Sequence, residues 1–177
     1  MSQEVSSNFS TLIEIGKYIL PGVGGWFLKD FYDRRKRKRD ISDLARGLKA
    51  EVLRIRELAI KGEGRYKILD RCDYKEWVEI TNTGDDYLLF IPKNLDDFYK
   101  VNIGKLGMLD EKLIIKIRTY YGNFTDWELD YKNIIDAYYK GMVDYIAFNL
   151  DNNKKSAEWL IKTADELVVE LDKKIKK

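Results

Sequence analysis

Residues 110–145 read DEKLIIKIRTYYGNFTDWELDYKNIIDAYYKGMVDY, and the spacing of their apolar side chains decides the fold. Leu113, Ile117, Tyr120, Phe124, Trp127, Tyr131, Ile134, Tyr138, Met142 and Tyr145 recur at steps of three or four. That period lays one apolar stripe along one face of a helix, in the manner of a heptad seam. Asp110 starts the pattern. Gly122 and Gly141 are the positions that break or bend it, each costing about 1 kcal/mol relative to alanine.

Working outward, two further stripes share this period. Ala157, Leu160, Ala164, Leu167, Leu171 and Ile175 predict a helix from Asn153 to Ile175, capped by Asp151 or Asn152. Lys173, Lys174, Lys176 and Lys177 suit the C-terminal end of its dipole. Upstream, Ile41, Leu44, Leu48, Val52, Ile55 and Ala59 predict a helix from about Asp40 to Lys61, ended by Gly62 and Gly64. Asp40 caps it unless the helix continues unbroken from upstream. The expected fold is mainly α: an antiparallel bundle of three or four helices with a long helical hairpin, preceded by a hydrophobic N-terminal helix.

Residues 65–92 break the helical pattern. The β-rich runs 77–81 and 87–91 flank Asn82-Thr83-Gly84-Asp85-Asp86 and predict a small hairpin excursion closed by Pro92. A short helix from Leu95 to Asn102 follows, capped by Asn94, with Gly104 and Gly107 marking a tight loop. The domain reading is therefore 1–39, a hydrophobic helix plus a basic segment, and 40–177, the helical domain.

Composition excludes several chemistries. The 177 residues include no histidine and one cysteine, Cys72, so Ser-His-Asp triads, Cys-His nucleophiles, His-ligated zinc and internal disulfides are ruled out. The acidic pairs Asp85/Asp86, Asp96/Asp97, Asp110/Glu111 and Asp165/Glu166 fall at turns and helix starts, where acids oppose the dipole. Gly22-Val23-Gly24-Gly25 lacks the strand and lysine of a phosphate loop. Tyr120, Tyr121, Tyr131, Tyr138 and Tyr139 could stack bases, but they lie on the apolar seam, which favours core packing. No catalytic residue, metal site or cofactor is implied.

Charge is distributed unevenly. The net +2 resolves into +4 for residues 1–39, +2 for 40–71 and −4 for 72–177. Its densest run is Arg34-Arg35-Lys36-Arg37-Lys38-Arg39, which must be solvated or meet an anionic surface. Directly before it lies TLIEIGKYILPGVGGWFL, residues 11–28. Leu12, Ile13, Ile19, Leu20, Val23, Trp26 and Phe27 are the candidate membrane contacts, with Trp26 and Phe27 as interfacial anchors. Glu14, Lys17, Pro21 and Gly25 share a second helical stripe suited to helix packing. Counted from Phe9 to Leu28 the segment is just long enough to span a bilayer, provided Glu14 and Lys17 are tolerated; each unpaired charge would cost about 2.5–3.5 kcal/mol. A helix lying in the interface, or one buried in a protein interface, fits the same stripe. MSQEVSSNFS carries no lysine or arginine and does not resemble a secretory leader.

Two stretches, GGWFLKDFYDRRKRKRDISDLARGLKAEVLRI (24–55) and NLDDFYKVNIGKLGMLDEKLIIKIRTYYGNF (94–124), resemble segments of small uncharacterised bacterial proteins with a membrane anchor and a helical domain. The resemblance implies a cytoplasm-facing helical domain at the inner membrane, and no catalytic residues. The leading expectation is a non-enzymatic adaptor or sensor, with residues 34–39 on anionic lipid and the helical domain facing a protein partner or a second copy. The alternatives are a membrane-perturbing oligomeric effector and a soluble, cytoplasmic subunit of a complex, its N-terminus buried in a partner and its basic run contacting nucleic acid.

Overall fold

The three stripes become three packed helices. The computed structural model describes residues 2–69, 94–140 and 142–176, with side chains from Trp26 onward except at a few helix positions. Helix α1 runs Ser2–Leu69, α2 runs Asp97–Asn102, and a 3₁₀ helix at Ile103–Met108 leads to α3, Glu111–Tyr139. Helix α4, Val143–Ile175, closes the chain, and no strand occurs among the described residues. The chain divides into two compact units, Met1–Asp40 and Ile41–Lys177.

Within the second unit, Leu44, Leu48, Val52, Ile55 and Ala59 of α1 form one core with Leu113, Ile117, Tyr120, Phe124 and Trp127 of α3. Ala157, Leu160, Ala164, Leu167 and Leu171 of α4 complete it. Tyr120, Phe124 and Trp127 are the bulk of this core, and Ala157, Ala164 and Ala59, all fully buried, supply small surfaces within it. Ile134, Ala137 and Ile146 make a smaller cluster where α3 meets α4.

Ion pairs mark the antiparallel register. Lys49 of α1 meets Asp172 of α4 at 2.7 Å, and Arg56 meets Asp165 at 2.8 Å. Seven residues forward on one helix match seven back on the other, as a heptad seam requires. Lys174 reaches Asp110 at 2.8 Å and Lys116 reaches Glu170 at 2.5 Å, fixing α3 against α4. These pairs are partly exposed, so they set register more than they add stability.

Several expectations are corrected. Gly62 and Gly64 do not end the first helix, which continues to Leu69 and takes in the first residues of the expected 65–92 excursion. The hairpin runs 77–81 and 87–91 lie outside the described residues. Gly122 leaves α3 unbroken. The seam holds through Ile134, then the helix ends; Met142 N–H donates to Ala137 O at 3.0 Å, and Met142 and Tyr145 are exposed. Helix α4 starts at Val143 rather than Asn153. Asp110 does cap α3, its Oδ1 accepting the Leu113 N–H at 3.0 Å. Asn94 does not cap α2 through its side chain; it takes a left-handed backbone, φ 72°, ahead of that helix.

The spanning form of the N-terminal segment is overturned. Among the described residues no helix is long and apolar enough to cross a membrane. The physical reason is Glu14 and Lys17, which put two full charges inside the twenty residues that would have to span.

Candidate functional site

The basic segment sits on α1, whose backbone is helical throughout residues 26–39. Trp26, Phe27, Leu28, Phe31 and Tyr32 are each 60–71% exposed, an unusual density of bare large apolar side chains. Trp26 and Phe27 meet edge to face, their centroids 5.2 Å apart. Arg34, Arg35, Lys36, Arg37, Lys38 and Arg39 follow directly, all exposed. Arg34 Nε lies 2.8 Å from Asp30 Oδ2, one turn back. Among the described residues the other five cations of the run make no ion pair. Leu12, Ile13, Ile19, Leu20 and Val23, with Glu14, Lys17, Pro21 and Gly25, lie on the helical backbone of α1, and their side chains fall outside the description.

A second constellation was not foreseen from the sequence. Glu51, on α1, is buried, and its carboxylate is the anchor for α2. Oε1 accepts the Phe98 N–H at 2.8 Å; Oε2 accepts the Tyr99 N–H at 3.0 Å and the Tyr121 O–H at 2.6 Å. The two amides belong to the first turn of α2, where N–H groups have no partner within the helix. One turn before Glu51, Gly47 leaves a notch that the Phe98 ring fills: a Cβ there would lie 2.0 Å from Phe98 Cζ. Tyr99 stacks on Tyr121 at 4.0 Å and 5°. Burial pushes the Glu51 carboxyl above its ordinary range; hydrogen bonds from Tyr121, Phe98 and Tyr99 pull it back, and nearby Asp96 adds to the rise. The Tyr121 hydroxyl is pushed far up by burial and by the Glu51 carboxylate, so it stays a donor.

Chemically, this second constellation clasps the 94–109 segment to α1. Its polar groups are mutually satisfied, which suits a structural joint rather than a reactive centre. The signal in the sequence was slight: Gly47 and Glu51 stand one turn apart beside the Leu48–Val52 stripe. Nothing local links them to Phe98 or Tyr121. Among the described residues no three His, Cys, Asp or Glu side chains gather where they could hold a metal ion. No family model, curated protein or solved structure matches this chain.

Proposed function

We propose that this chain is a non-enzymatic adaptor that docks peripherally on an anionic membrane through residues 26–39 and presents its helical bundle to a protein partner. The observation that carries the reading is the junction of five exposed apolar side chains, Trp26 to Tyr32, with six exposed cations, Arg34 to Arg39. Aromatic side chains settle at the headgroup boundary, and each Lys or Arg near an anionic leaflet contributes about 1 kcal/mol. On the bundle, among the described side chains, Met142 just before α4 and Tyr145 and Phe148 in its first turns are exposed apolar groups, and Phe148 is 73% exposed. In a bacterial cell this arrangement suits the cytoplasmic side of the inner membrane, where anionic headgroups are available.

Flotation of the full chain with vesicles tests the reading. Vesicles of phosphatidylcholine and phosphatidylglycerol are expected to carry the protein upward at low salt, and vesicles of phosphatidylcholine alone to carry far less. Raised salt should release it, because the Debye length shortens. A chain that stays at the bottom of the gradient with both vesicles at low salt would refute the membrane reading.

A further inference from the structure

The 26–39 segment is two-sided. At 3.6 residues per turn, Phe27, Leu28, Phe31 and Tyr32 fall within one arc of roughly 160°. Arg34, Arg35, Lys38 and Arg39 fall within the same arc, one and two turns further along, so each apolar side chain is followed by a cation on its own line. The opposite arc holds both acids of the segment, Asp30 and Asp33, together with Trp26, Lys29, Lys36 and Arg37. Arg34 sits at the border, tied to Asp30 at 2.8 Å. One face therefore carries four of the five exposed apolar side chains together with cations and no acid, and the other, which keeps Trp26, is close to neutral.

We infer that the helix lies flat on the anionic bilayer with this face down, so that Arg35, Lys38 and Arg39 bind headgroups while Lys36 and Arg37 point away. The inference rests on the membrane reading above and adds the orientation. The complementarity is specific to an interface: apolar side chains and cations share one side, as a surface with a hydrocarbon layer beneath charged headgroups demands. A polyanion without a hydrocarbon layer would leave Phe27, Leu28, Phe31 and Tyr32 uncovered. Lys36 and Arg37 stand about one helix diameter, roughly 10 Å, further from the lipid. That is about one Debye length at 0.1 M salt, so their attraction is largely screened.

Two double substitutions of equal charge test it. R35Q/R39Q and K36Q/R37Q change only exposed side chains, and circular dichroism checks that both keep the helical fold. Partition of the full chain onto phosphatidylglycerol-containing vesicles is measured at 0.1 M salt. The orientation predicts that R35Q/R39Q weakens partition about thirtyfold and K36Q/R37Q about threefold. Equal losses in the two variants, with the wild-type chain bound, overturn the flat orientation and leave membrane binding standing. No binding of the wild-type chain overturns membrane binding itself. Duplex DNA that strips the wild-type chain from vesicles, and that both variants bind equally weakly, overturns the lipid-facing assignment in favour of nucleic acid.

Discussion

Gly47→Ala isolates the joint between α1 and α2. In most exposed helix interiors this change stabilises by about 1 kcal/mol, since alanine loses less backbone freedom than glycine. Here the new Cβ would lie 2.0, 2.3 and 2.4 Å from Phe98 Cζ, Cε1 and Cε2, well inside contact distance. Phe98 cannot slide away as a unit, because its own N–H is held by Glu51 Oε1 at 2.8 Å. The ring must rotate out of the notch or the helix must lift. Overpacking of this kind costs about 1–3 kcal/mol, and losing part of a phenyl ring's burial adds about 1 kcal/mol. Against the propensity gain, the net expectation is a loss of about 1–3 kcal/mol, or about 3–9 °C in Tm for a chain of this size. Gly122→Ala is the control: Gly122 sits inside α3 with nothing within 4 Å of a Cβ, so it should stabilise by about 1 kcal/mol. Urea unfolding followed by circular dichroism measures both. A cycle with Phe98→Ala adds the coupling, since Gly47→Ala should become harmless once the ring is gone. If Gly47→Ala stabilises as Gly122→Ala does, with Phe98 intact, the notch does not exist.

Further expectations concern the same joint and the bundle seam. The Glu51 carboxyl holds its proton more tightly in the folded chain than in the unfolded one, where its value is 4.5, so its contribution rises as pH falls from its folded value to 4.5. Asp110 runs the other way: the hydrogen bond from Lys174, and then the Leu113 N–H, lower it, so its stabilisation is present above 3.8 and lost as pH falls through its folded value. Urea midpoints across this range should show the first component vanish in Glu51→Gln and the second in Asp110→Asn; an unchanged profile in either variant contradicts the assignment. Tyr121→Phe removes the hydroxyl donor and should cost about 1.5–3 kcal/mol at neutral pH, and less in acid as Glu51 takes up its proton. A cost independent of pH would mean that the hydroxyl does not serve the carboxylate. Arg56→Asp and Asp165→Arg should each cost no more than about 1 kcal/mol, and the double swap should recover most of it; additive losses, read by thermal unfolding, would contradict the register.

The bundle was legible because each stripe is local. Leu44 to Ala59, Leu113 to Ile134 and Ala157 to Leu171 can each be found by counting threes and fours, and all are buried. The start of α4 was missed for a chemical reason. Asp151, Asn152 and Asn153 look like caps, yet Asn153 is fully buried within the helix, its Nδ2 donating to Trp127 O at 3.2 Å. Admitting that one polar residue to the stripe joins Ile146 and Leu150 to Ala157 without a break. Gly62 and Gly64 misled in the opposite sense: a penalty of about 1 kcal/mol per glycine does not stop a helix that the bundle holds. The joint at Glu51 was not legible, because its partners stand 47, 48 and 70 residues away. Of the expected membrane contacts, Leu12 to Phe27, only Trp26 and Phe27 have described side chains, and both are exposed. The two charges whose cost was counted, Glu14 and Lys17, dilute the twenty residues too far for a span among the described helices.

Charge supplies the physical reason behind the membrane contact proposed for the 26–39 segment. On the bundle, cations find acids: Lys49 and Arg56 on α1 are answered by Asp172 and Asp165 on α4. The run from Arg34 to Arg39 belongs to the same helix, and there Arg34 alone is answered, among the described residues, by Asp30. Arg34 and Lys38, and likewise Arg35 and Arg39, stand one turn apart as like charges, each pair costing about 0.2–0.5 kcal/mol of helix stability. That cost accompanies five large apolar side chains left bare in the two turns before it, four of them on the same arc as Arg35, Lys38 and Arg39. A surface that is anionic at its edge and apolar beneath removes both penalties together, whereas water or a purely anionic partner relieves only one.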